Sequence, residues 1–255
     1  MRIPRFRRTG LSLFEVIVIA LMALFLVCIG MMLLNRHRDT DARMHCTDNL
    51  RRMGIAIRAY AANTADNEAQ RRLPPSRISD GYGTWGVLLI PHLENAHQLQ
   101  GWKLAEPYFD QDRAVREAVV SAYFCPARPR NGVWISRSGD DVPGTKTHVP
   151  GALGDYAAVA ASGPPWLEAN ANGAMIVGEV LKREGDRVVA WQGRVLVSSL
   201  SRGLAYTLLL GEKHVPSLQL AEASGGDGSL YNGGQPSNFS RLAGPDFGIA
   251  PSPDS

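Results

Sequence analysis

The sequence predicts an α+β protein: a long N-terminal helix, membrane-spanning in its first part, packed on an antiparallel β-sheet body. Three observations predict it. The run Val16–Leu34 holds 19 residues without a formal charge, and about 20 apolar residues cross a bilayer. Cys46, Leu50, Met53, Ile57 and Tyr60 then step by four, three, four and three, the stripe of an amphipathic helix. After residue 63, turn dipeptides at Asp80-Gly81, Asn131-Gly132, Asn172-Gly173, Asp227-Gly228 and Asn232-Gly233 separate short apolar runs, as strands joined by turns would require.

Residues 1–10 form a basic leader with Arg2, Arg5, Arg7 and Arg8. Removing those four from the 27 Lys and Arg leaves 23 against 24 Asp and Glu, so the net charge of +3 gives no support to a nucleic-acid partner. The leader arginines favour a cytoplasmic N-terminus, a bias that Arg36 and Arg38 on the far side of the span weaken. The apolar run is longer than the ~7–15 residues of a secretory signal, and no A-x-A-like site follows it. Cys28 follows Phe-Leu-Val rather than the small residue a lipoprotein signal needs. A single-pass anchor over residues 11–34 remains.

Residues 35–62 continue as an amphipathic helix, with Arg51 and Arg58 off the apolar stripe. A helix from Leu11 to about Ala62 would be roughly 75–80 Å long. "NTADNEAQRRLPPSR" ends it, and residues 63–255 read as an extracytoplasmic body rich in strands and turns. One more helix is expected over "DQDRAVREAVVSA", with Asp110 as N-cap and Ala114, Val115, Ala118 and Val119 as its apolar face. "RVVAW" and "RVLVSS" read as a hairpin turning at Gln192-Gly193. "LAYTLLLGEKHV" reads as a mostly buried strand emerging at Glu212. No internal repeat is present.

Of the three cysteines, Cys28 lies in the span, with no C-x-x-C and no zinc-like spacing among them. In an extracytoplasmic body Cys46 and Cys125 either pair, which is worth about 4 kcal/mol on the chain-entropy model, or stay as two buried thiols.

Catalytic constellations are scarce. His92, Glu94 and His97 in "HLENAH" do not make H-E-x-x-H, and histidines five apart do not share a helix face. Glu212, Lys213 and His214 fit local ion pairing. Asp227 in "ASGGDGSLYNGG" offers one carboxylate to a calcium ion that needs about 6–8 oxygens. Trp85, Trp102, Trp134, Trp166 and Trp191 hint at a carbohydrate surface, but scattered tryptophans are more often core or rim. There is no G-x-S-x-G, P-loop or G-x-G-x-x-G. No enzymatic activity, metal or cofactor is expected.

Glu15 still needs a reason, because an ionisable residue inside a span costs free energy and is normally functional. "RRTGLSLFEV" resembles the leader of type IV pilins and pseudopilins: a short basic segment, Gly, then an apolar helix with Glu at its fifth position. The resemblance implies that a prepilin peptidase cuts between Gly10 and Leu11 and methylates the new amine. Leu11 stands where the family usually has Phe. Glu15 would then pair with the amine of a neighbouring subunit and set the register of assembly. "CTDNLRRMGIAIRAYAANT", "WGVLLIPHLE", "FCPARP", "DYAAVAAS" and "LLLGEKHV…DGSLYNGG" are similar to a bacterial family, abundant in planctomycetes, that joins such a leader to a pseudopilin-G-like domain. Members of that family usually continue with a histidine, nine residues and Asp-Gly. Here "FGIAPSPDS" stands where that segment would begin.

The resemblance implies a pilin-like fold and a pseudopilin-like structural subunit of a secretion or pilus-type apparatus. It would sit single-pass in the bacterial inner membrane with a periplasmic body. Its partners would be the prepilin peptidase, the membrane, and itself or other pilin-like subunits. The alternative is an anchored periplasmic binding module that does not polymerise.

Overall fold

The computed structural model describes residues 13–93, 101–128, 130–165 and 167–247, with only the backbone described over 33–39. Helix α1 spans Leu13–Asn63, 51 residues with no proline to remove a hydrogen bond. Glu15 lies in its first turn, where the helix dipole favours a negative charge. At the other end Thr64 bonds the Tyr60 carbonyl through both its backbone N–H and its hydroxyl.

The chain divides into two compact units, Met1–Met44 and His45–Ser255. In the first, Leu13–Met32 is long and apolar enough to cross a membrane, and its large apolar side chains are exposed. In the second, the remainder of α1 supplies a buried stripe. Cys46, Met53, Ala56, Ile57, Tyr60 and Ala61 are buried, while Arg51, Arg52 and Arg58 are exposed. The stripe read from the sequence is therefore the packed face. Each large apolar side chain on it contributes up to roughly 1.5–3 kcal/mol by removal from water.

The body has an α+β architecture with little regular structure per residue. Among the described residues, three one-turn helices, α2 (Trp85–Leu88), α3 (Arg113–Arg116) and α4 (Pro236–Phe239), and several 3₁₀ turns accompany five short strands. These strands are β1 (Tyr156–Ala161), β2 (Glu179–Glu184), β3 (Arg187–Gln192), β4 (Leu210–Glu212) and β5 (Ser240–Leu242). A three-stranded sheet has the order β4-β1-β5, and β2-β3 form a separate hairpin. The larger sheet is mixed: β1 pairs antiparallel with β4 and parallel with β5. The core behind it includes Trp85, Tyr108, Tyr123, Tyr156, Tyr231 and Phe239, all at 0% exposure. Trp85 and Tyr123 meet edge to face, and their polar atoms donate to the Phe239 and Gly86 carbonyls.

Three local expectations are corrected. The helix over residues 110–122 shrinks to α3, with Asp112 rather than Asp110 as N-cap. The carbonyls needed to continue it are taken by tertiary donors: Arg116 accepts from Ala152 N–H at 2.7 Å, and Ala118 from the Tyr231 hydroxyl at 2.9 Å. Accordingly Val115 and Val120 are buried while Ala114 and Val119 are exposed.

The hairpin turns at Gly185 (φ +60°) between β2 and β3, not at Gln192-Gly193. A Cβ at Gly193 would run into the Leu73 carbonyl oxygen, so this glycine marks a close backbone approach. The segment after it pairs with residues 71–73 instead. Finally, the strand expected through Leu204–Val215 reduces to β4. Leu204–Tyr206 form a 3₁₀ turn, and Tyr206 and Leu208 are 82% and 59% exposed.

Candidate functional site

The processing residues Gly10 and Leu11 lie outside the described residues. Glu15 is exposed on the first turn of α1, within the apolar stretch Leu13–Met32 and near its start. Cys46 and Cys125 are bonded to each other across 79 residues, tying α1 to the segment before β1. Next to the bond, Asn49 donates to the Phe124 carbonyl at 2.8 Å. Cys46, Cys125 and Glu212 are the only cluster of three or more metal-type ligands among the described residues, and both thiols are already committed to the disulfide.

The body's charged centre arises from strand register. Pairing of Tyr156 with Glu212 places Asp155 and Lys213 side by side at the ladder end, where Lys213 N–H donates to the Asp155 carbonyl at 2.8 Å. Arg130 reaches both buried carboxylates: Nε and Nη2 contact Asp155 Oδ1 at 3.0 and 2.5 Å, and Nη1 and Nη2 contact Asp227 at 2.9 and 2.8 Å. Lys213 Nζ lies 3.3 Å from Asp227 and donates to the Gly226 and Asn238 carbonyls. Backbone N–H groups of Cys125 and Ala221 complete the carboxylates.

All four charged residues are at most 3% exposed. Burial alone would raise the Asp227 carboxyl, but Lys213 and Arg130 outweigh it and hold it at about 2. Burial lowers Lys213 to about 8 against the opposing pull of Asp227. A third buried carboxylate, Asp140, accepts from Ser229 N–H, Asn232 and Asn238; burial nevertheless raises it. These groups are enclosed and bonded to one another and to nearby backbone, an arrangement suited to locking the surrounding segments together.

The other sequence candidates disperse. Lys213 pairs with Asp227, not with its neighbours Glu212 and His214, which corrects the local ion-pair reading. Asp227 faces two cations, leaving its carboxylate no free edge for calcium. His92 packs edge to face on Tyr60 with ring centroids 5.8 Å apart, and burial lowers its pKa; Glu94 and His97 lie outside the described residues. Trp85 is core, Trp102 and Trp191 are half-buried, Trp134 is 41% exposed, and Trp166 is outside the described residues.

The charged centre was not identified from sequence, although its members sit in the segments that carry the family resemblance. "FCPARP" precedes Arg130, "DYAAVAAS" begins with Asp155, and "GEKHV" and "DGSLYNGG" supply Lys213 and Asp227. A buried cation needs a partner, so charges inside otherwise apolar or glycine-rich segments were the available signal.

The model of a protein family described as "Protein of unknown function (DUF1559)" matches residues 40–241. No curated protein and no solved structure matches the chain.

Proposed function

The chain belongs to the DUF1559 family, and from that premise we propose that it is a pseudopilin-like structural subunit. Members of this family are prepilin-type, pseudopilin-like proteins. The observation that carries the proposal is the spacing Gly10-x4-Glu15 joined directly to the apolar stretch Leu13–Met32 of α1. A prepilin peptidase cuts after Gly10, α1 stays in the bacterial inner membrane, and the body lies on the periplasmic side. The Cys46–Cys125 disulfide is consistent with an oxidising, extracytoplasmic compartment.

In this reading the role is assembly, with itself or other pilin-like subunits, rather than catalysis. Cleavage creates a positive amine at Leu11 near the membrane boundary. An axial offset between subunits brings the Glu15 carboxylate of one to the amine of the next. In a poorly hydrated setting a stranded charge is costly, so the pairing selects one register.

The test is the mass and N-terminal sequence of the chain after co-expression with an active prepilin peptidase. A product starting at methylated Leu11 is expected. A product retaining residues 1–10 overturns the reading and leaves an anchored module that does not polymerise. Glu15→Ala gives a second readout: chemical cross-linking in membranes should lose its ladder of multimers, whereas a non-polymerising module would be unaffected.

A further inference from the structure

A cleft in the body opens at the C-terminal end of α1. Two adjoining lobes share Tyr60, Thr64 and Trp191. One, of about 490 Å³, is apolar, walled by Trp102, Leu104 and the Val87–His92 turn. The other, of about 450 Å³, is polar, with Asp66, Gln70, Arg72 and Gln192 on its walls. Each lies in the ~300–1,000 Å³ range of small-molecule sites. Strand β3 builds the shared wall, presenting Trp191 and Gln192 from its last two positions.

Tyr60 lines both lobes and is 6% exposed, and its hydroxyl, which donates to no described residue, keeps access to the cleft. The indole N–H of Trp102 also has no acceptor. Buried Tyr and Trp normally place these donors on a partner, because an unmade bond costs free energy. Elsewhere in this body the pattern holds: Tyr82, Tyr108, Tyr123, Tyr231 and Trp85 all donate to backbone carbonyls. The exception at Tyr60 falls at the cleft.

We propose that this cleft binds a neutral saccharide, with sugar rings against Trp191 and Trp102 and sugar hydroxyls on Tyr60, Gln70 and Arg72. A sugar ring presents apolar C–H faces to aromatic side chains and a rim of hydroxyls that both donate and accept. It therefore matches an apolar lobe continuous with a polar one and supplies the acceptor Tyr60 lacks. A purely apolar occupant would displace water from the exposed Asp66 and Gln70 side chains without replacing its hydrogen bonds, whereas sugar hydroxyls can replace them.

The full chain is purified in a polyoxyethylene detergent, because maltoside headgroups would compete. Tryptophan fluorescence and titration calorimetry are recorded against maltohexaose, cellohexaose, chitohexaose and mannohexaose. Saturable binding of at least one is expected. Trp191→Ala should weaken it at least tenfold. Tyr60→Phe, which keeps the ring packing, and exposed Gln70→Ala should each weaken it severalfold at an unchanged melting temperature. Leu218→Ala, 96% exposed and outside the cleft, should bind as the parent does. No saturable response to any of the four sugars overturns the proposal, as does binding that Tyr60→Phe and Gln70→Ala leave unchanged.

Discussion

Replacing Asp227 by Asn removes a negative charge from a fully buried site with almost no change of shape. The native carboxylate accepts two bonds from Arg130 and one from Ala221 N–H, and lies 3.3 Å from Lys213 Nζ. Asn retains one acceptor oxygen and turns an NH₂ toward these donors. Arg130 keeps Asp155 at 2.5 Å, so the loss falls mainly on Lys213, left with the Gly226 and Asn238 carbonyls. Removing one partner of a buried ion pair costs about 3–5 kcal/mol. For a body of this size that is a fall of about 6–20 °C in melting temperature.

The assay is thermal unfolding by circular dichroism in detergent, on the parent, Asp227→Asn, Lys213→Met and the double variant. Removing the stranded ammonium should return part of the loss, so the double variant should be more stable than Asp227→Asn alone. The pH dependence has a definite sign. Lys213 is held at about 8 against its ordinary 10.5 by burial, so between those values the unfolded chain binds the extra proton. Its contribution to stability therefore rises as pH climbs through this window. Without Asp227 the window starts lower, and Asp227→Asn should recover stability between pH 7 and 9 relative to the parent. A loss below about 1 kcal/mol, or a double variant no better than the single one, would refute the view that Asp227 neutralises a buried lysine.

Other outcomes follow from the same structure. The Cys46→Ser/Cys125→Ser protein should lose about 4–5 kcal/mol on the chain-entropy model, since the bond spans 79 residues; melting with and without reductant checks it, and reductant should leave the variant unmoved. Gly193→Ala should cost about 1–3 kcal/mol, because its Cβ meets the Leu73 carbonyl and the backbone must shift; urea midpoints measure it. Asp227, depressed from 3.8 to about 2, contributes stability that is complete above the unfolded value and lost as pH falls through the folded one. Acid titration of melting temperature between pH 4 and 2 should thus be flatter in Asp227→Asn than in the parent.

What could be read from the chain were the features that repeat along it. The charge-free run and the buried stripe from Cys46 to Tyr60 each state a period, and a helix turns that period into one face. The α+β class follows from that helix and the turn-rich remainder. The hairpin turns at Gly185 rather than at Gly193, although each glycine borders a strand-like run. Only packing distinguishes a residue held at φ +60° from one pressed against Leu73.

Whether Cys46 and Cys125 pair was open for a similar reason: 79 residues separate them, and proximity came with the seating of α1 on the body. The helix expected through residue 122 had adequate local propensity, but Ala152 and Tyr231 claimed its carbonyls from more than thirty residues away. The mixed sheet, the Arg130–Asp155–Asp227–Lys213 centre and the cleft beside Tyr60 likewise have no local period. Sequence by itself determined the membrane-length helix and its packed face, since each lies within a few consecutive turns. Tertiary structure alone decided which distant charges and donors meet, because a buried ion pair or an unpartnered hydroxyl is a property of neighbours that the chain order does not place together.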